Sequence, residues 1–181
     1  AKSGFLSGFG ALAVPLMALV VPVPQAAAVM LPLLLVMDAA GLQQLWRQQD
    51  RALLRLLLPA GLLGVGVGAL LFGVLSVKTV AAVVGALTLL FLAQRLFFPP
   101  KAEAAVPSKP LGVALGVASG FTSFVAHAGG PPLNAYVLPL RMPPVTFAAT
   151  LGVYFTAMNL SKWIPYGWLG LLDMRNMATS L

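Results

Sequence analysis

The stretch HAGGPPLNAYVLP, residues 127–139, decides the fold, because it interrupts one of the most apolar segments of the chain. Proline removes a backbone donor and clashes with the preceding turn. Each glycine lowers helix stability by about 1 kcal/mol. The run Ala128-Gly129-Gly130-Pro131-Pro132 therefore ends one helix, and a second helical piece can begin at Leu133–Asn134. In lipid, an unpaired backbone group costs several kcal/mol, so irregular chain at membrane depth must face protein or a wet cavity.

Lipid is the solvent that the rest of the chain requires. Of its 181 residues, 60% are hydrophobic and only 8% are charged. No charged residue interrupts 3–37, 56–77, 79–94, 111–140 or 142–161, counting His127 as neutral. A helix crosses the hydrocarbon core with about 20 apolar residues. The first run holds two crossings divided at Pro22-Val23-Pro24. The expectation is an all-α integral membrane protein with six spans at 4–22, 25–46, 53–75, 78–98, 110–140 (broken) and 144–163. A cleaved signal peptide explains one hydrophobic stretch, not five. There is no cysteine, which excludes disulfides and thiolate metal sites. The net charge of +7 does not point to nucleic acid, because the basic residues are scattered through short connectors. No cofactor is expected.

With six spans, both visible ends fall on one side, together with Lys2, Arg47, Arg51, Arg55, Arg95, Lys101, Lys109, Lys162 and Arg175. Only Lys78 and Arg141 fall on the other. The positive-inside rule then places the N-terminus in the cytoplasm. Trp46, Trp163, Tyr166 and Trp168 are expected in the interfacial aromatic belt. The polar stretch PPKAEAAVPSKP separates a first membrane repeat, 1–98, from a second, 111–181, with 99–110 as a cytoplasmic linker. VPLMALVVP at 14–22 aligns without gaps to PPLNAYVLP at 131–139, and SGF at 3–5 echoes SGF at 119–121. Four spans separate the repeated elements, so the two related halves are expected to share one orientation. The second half is expected to be truncated, since nothing after GLLDMRNMATSL matches spans three and four.

A half-helix that starts inside a membrane points free N–H groups and a partial positive charge back at the break, which suits an anion. The glycines let a ligand approach the backbone. His127 and Asn134 add side-chain donors, and Thr122 and Ser123 share the His127 face. Asn134 is also a candidate cap for the second half-helix. The first repeat has a softer version of the break, with Ser7, Gly8, Gly10 and Pro15. Asp38, Asn159 and Lys162 are candidates for gating or coupling. Asp38 sits near a span end, within reach of Arg47 or Arg51, and Lys162 is expected to snorkel to the interface. The run GLLGVGVGALLFG, 61–73, lies inside a span and is read as a close helix contact rather than a nucleotide loop.

The combination SGFTSFVAHAGGPPLNAYVLPLRMPPVTFAAT and MNLSKWIPYGWLG, with the N-terminal SGFLSGFGALAVPLM and LLLVMDAAG, resembles the sulfite exporter TauE/SafE family of membrane permeases. The resemblance covers nearly all of residues 3–172. It implies export of sulfite, a sulfonate or a related oxyanion across the bacterial inner membrane by a multi-pass protein of two related halves. It also implies a substrate site between the two Gly/Pro elements. On this chain that site comprises Ser7, Gly8, Gly10, Pro15, Ser123, His127, Gly129, Gly130, Pro131, Pro132 and Asn134. The first element lacks the double glycine common in that family. The expected partners are a small anion and membrane lipid, with a homo-oligomer compatible with the sequence. Two other readings compete. One is a packing or assembly subunit without its own substrate path. The other is an intramembrane enzyme, for which the chain offers no Ser-His-Asp arrangement and no metal-ligand spacing.

Overall fold

Proline sets the helix starts in this computed structural model, which describes residues 13–72, 74, 76–97 and 107–172. Helix α1 (Val23–Leu45) begins on Pro24, α4 (Lys109–Ala126) on Pro110, α5 (Gly130–Val137) on Pro131 and Pro132, and α6 (Pro144–Trp168) on Pro144. The first helical N–H groups have no intrahelical partner, so a proline there loses nothing. Between α1 and α4 lie α2 (Arg51–Phe72) and α3 (Val77–Phe97). A single 3-10 turn, Trp46–Gln48, joins α1 to α2, and another, Leu138–Leu140, follows α5. Residues 13–17 are also helical. Among the described residues there is no strand.

Three helices are long and apolar enough to cross a membrane: α1 over Val23–Gln43, α2 and α4. Their outer faces carry large apolar side chains, with Leu63 at 62% and Leu70 at 75% exposed. Such a surface is sustainable only against lipid or a partner. These three overlap the expected spans 25–46, 53–75 and 110–140.

Contacts along the helices give their directions. Leu57 and Ala60 of α2 lie against Gly116, Gly61 lies against Gly120, and Gly68 lies against Phe124, so α2 and α4 run parallel. Tyr154 donates to the Gly116 carbonyl at 3.2 Å and Tyr166 to the Phe124 carbonyl at 2.8 Å, so α6 runs parallel to both. Asp38 pairs with Asn159, and the Asp50 N–H donates to Thr150 Oγ1 at 2.9 Å. Rising numbers on α1 meet falling numbers on α6, so these two are antiparallel. The bundle therefore has an Arg47 end, where α1 finishes and α2, α4 and α6 begin, and an Ala27 end. At the Arg47 end Asp50 caps α2, its Oδ1 accepting the Leu53 N–H at 2.9 Å.

The broken segment is where the structure departs most from the sequence reading. Ser119 Oγ donates to the Gly129 carbonyl at 2.7 Å, and the Tyr136 ring packs on Gly112. Seven residues down α4 match seven residues along α5, so α5 runs back beside α4. Residues 109–140 form a hairpin whose limbs both open at the Arg47 end. They are not a single broken crossing. The chain then enters α6 from that same end. This overturns the expectation that the halves share one orientation, since α1 and α6 follow the repeated elements in opposite directions. It also moves Arg141 to the Arg47 end.

The α2–α4 contact is held by glycine. A Cβ on Gly120 would strike the Gly61 backbone, and one on Gly64 would strike the backbone of Val117 and Phe121. The two main chains are in direct contact, as the run at 61–73 implied. Gly66 is different, because a Cβ there would meet open space.

Candidate functional site

The hairpin turns on His127, the C-cap of α4, which takes a left-handed backbone at φ 52°. That region disfavours L-residues by about 1–2 kcal/mol. The turn holds because the His127 N–H donates to the Ser123 carbonyl and the Ala128 N–H reaches back to Thr122 O at 3.2 Å. The turn aims the imidazole between α1 and α6. His127 Nε2 lies 2.9 Å from the Ala27 carbonyl. A carbonyl only accepts, so Nε2 carries the hydrogen. Pro32 has no N–H for the Ala28 carbonyl, and one residue earlier the Ala27 carbonyl takes the histidine.

With Nε2 protonated, Nδ1 of the neutral ring accepts, and its donor is Lys162 Nζ at 3.1 Å. Lys162 Nζ also donates to Ser123 Oγ at 2.8 Å and Asn159 Oδ1 at 3.0 Å. The ammonium has three hydrogens, and all three are used. Asn159 passes the connection onward, its Nδ2 donating to Asp38 Oδ2 at 2.7 Å. One chain of bonds thus runs from Asp38 on α1 through Asn159 and Lys162 on α6 to Ser123 and His127 on α4. It closes on Ala27, back on α1.

Lys162 is 0% exposed. The expectation that it snorkels is wrong. Its stem is boxed by its own cluster, and the Tyr166 and Phe124 rings pack edge to face at 5.1 Å nearby. Tyr166 is buried as well and does not join an interfacial belt, whereas Trp46 and Trp168 are exposed near the two ends of the bundle. Asp38 bonds to Asn159 rather than to Arg47 or Arg51.

Not every residue singled out by sequence reaches this cluster. Ser123, His127 and Gly129 do, since Gly129 abuts the Ser123 side chain. Gly130, Pro131 and Pro132 form the first turn of α5. The two prolines have no N–H, so this helix start offers only the Gly129 and Gly130 amides, which have no bonded partner among the described residues. Asn134 sits within α5 and does not cap it. The N-cap is Gly129, and the Asn134 Oδ1 is buried with no partner among the described residues. Pro15 lines an apolar groove of about 360 Å³ with Ala18, Val23, Gly85 and Leu89, away from Lys162. Ser7, Gly8 and Gly10 lie outside the described residues. Sequence reasoning flagged Lys162 and Asn159 but not their joining to His127. The available signal was their spacing of three, which stacks both on one helix face. Among the described residues no group of His, Cys, Asp or Glu could hold a metal ion.

A helical bundle clad in exposed leucine, with three helices long and apolar enough to cross a bilayer, fits a membrane protein. The chain belongs to the sulfite exporter TauE/SafE family, whose model matches residues 1–181. The members of that family are membrane transporters of sulfur anions rather than enzymes. No curated protein and no solved structure gave a match.

Proposed function

We propose that the protein exports a small sulfur oxyanion, sulfite or a sulfonate, across the bacterial inner membrane. The anion docks at the hairpin tip, on Lys162 Nζ, Ser123 Oγ and the Gly129 and Gly130 amides. The observation that carries this reading is the wholly buried Lys162 ammonium, whose three partners are all neutral. An intramembrane charge is expensive and is kept where it serves a pathway. Its one carboxylate, Asp38, is reached only through Asn159. An arriving anion would replace one neutral acceptor with a counter-charge.

The Arg47 end faces the cytoplasm in this proposal. Arg47, Arg51, Arg55, Lys109 and Arg141 lie toward that end, against Lys78 at the start of α3. Helices α1, α2, α3 and α6 cross, while the α4–α5 hairpin enters from the cytoplasm and returns to it. The elements at 14–22 and 131–139 belong to two halves of inverted orientation, related by a pseudo-axis in the membrane plane. Residues 1–98 and 111–181 remain the proposed halves, joined by a cytoplasmic linker.

The test is sulfite flux into liposomes holding the full chain. His127→Ala and Gly130→Leu are each expected to reduce it at least tenfold. Flux at the unsubstituted level in both would reject the hairpin tip as the site.

A further inference from the structure

The fixed charges around Lys162 are unevenly divided. Helix α6 contributes the ammonium, and with it Asn159 and the Tyr166 ring. Helix α4 contributes Ser123 and His127, the latter neutral because one nitrogen donates to Ala27 and the other accepts from Lys162. Helix α1 contributes Asp38. The Asn159 amide has one orientation that serves both neighbours, with oxygen toward the ammonium and nitrogen toward the carboxylate. With Lys162 protonated and Asp38 ionised, one positive charge is matched by one negative charge, a single amide away.

We propose that Asp38 is a specificity-determining residue which, acting through Asn159, makes the Lys162 site accept singly charged oxyanions and reject doubly charged ones of the same shape. The inference rests on the anion site proposed above and adds the valence of its substrate. The physical reason is that each negative charge brought to Lys162 is attracted by the ammonium and repelled by the carboxylate beyond the amide. A monoanion leaves the cluster with one net charge, a dianion with two. The self-energy of a buried charge grows as its square, so the second charge is opposed far more strongly than the first. Removing the carboxylate relieves a monoanion once and a dianion twice. At the effective dielectric of a protein site, one such repulsion over several ångströms is worth about tenfold in affinity.

Methanesulfonate and sulfate provide the comparison, being tetrahedral and near-isosteric but carrying one and two charges. Binding of each is measured by calorimetric titration of the full chain in nanodiscs. The unsubstituted protein is expected to prefer methanesulfonate by tenfold or more. Asp38→Asn should shift the ratio toward sulfate by about tenfold, and Asp38→Glu should keep the original ratio. A merely structural role for Asp38 would weaken both anions together and leave the ratio unmoved. That result, or equal binding of both anions by the unsubstituted protein, overturns the proposal. The second measurement holds even if Asp38→Asn does not fold. Lys162→Gln separates the two readings. Undiminished binding of both anions in that variant rejects the anion site itself, whereas lost binding with an unmoved Asp38→Asn ratio rejects only the valence filter.

Discussion

The two ends of helix α4 have opposite characters. From Gly116 to Gly120 it is a dry seam, where missing side chains let it lie directly against α2 at Leu57, Ala60 and Gly61. From Ser119 to His127 it is polar, and its groups bond to α5, α1 and α6. The seam derives its strength from shape. Small residues let helices approach closely in lipid, where no hydrophobic force drives them together. The tip derives its order from satisfied hydrogen bonds around a buried charge, an arrangement that contributes little net stability. The comparison teaches that the closely packed half of α4 positions the half proposed to bind.

Substitutions can break that comparison, and the largest effect belongs to the tip. Lys162→Met should abolish sulfite flux in liposomes, by a hundredfold or more, and should also lower the thermal midpoint of the purified protein, because removing one partner of a buried pair leaves Asp38 without its counter-charge. Lys162→Met combined with Asp38→Leu removes both charges and should recover the midpoint but not the flux. Recovered flux in that double variant would show the ammonium to be a structural element.

Gly120→Leu should do the reverse of that double variant. Its side chain would enter the Gly61 backbone. Overpacking of about 3 kcal/mol or more is expected, because backbone cannot yield as a flexible side chain does. The yield of monodisperse protein should fall severely, while flux per folded molecule should fall far less. Tyr166→Phe tests the border of the two regions by removing the O–H that donates to Phe124. A loss of about 1 kcal/mol in unfolding free energy is expected, with flux within threefold of the original. The smallest effect belongs to Gly66→Ala, which faces open space. Helix propensity predicts an unchanged protein or a gain of up to about 1 kcal/mol, read in the same unfolding assay. A severe loss there would place the seam on a different face of α2.

Much of this was written locally in the chain. The helix boundaries followed from proline at the first turn and from uninterrupted apolar runs. The break at 127–132 followed from consecutive Gly and Pro. The close helix contact at 61–73 followed from its glycines, but that Gly61, Gly64 and Gly68 rather than Gly66 make it did not. The site was only partly legible. Ser123 and His127 were visible as one face of one helix. Lys162 was misread, because a lysine near a span end has an inexpensive route to water in most proteins. Here the amine is buried and bonded to Ser123, His127 and Asn159 instead. The direction of residues 130–140 was invisible, since hydropathy has no sign along the membrane normal. A return limb and a continuing one have the same composition.

By itself, the sequence determined that lipid surrounds this chain, roughly where its helices start and stop, and that the helix over 110–140 must break at its Gly and Pro residues. Those are local properties, fixed by hydropathy and by the backbone chemistry of proline and glycine. Only the tertiary structure decided that the turn reverses the chain, that α1 and α6 oppose each other, and that Asp38, Asn159, Lys162 and His127 form one network. Bonds between residues so distant in sequence depend on which helix faces touch. That choice was made by the glycine seam and the hairpin together, and no single segment encodes it.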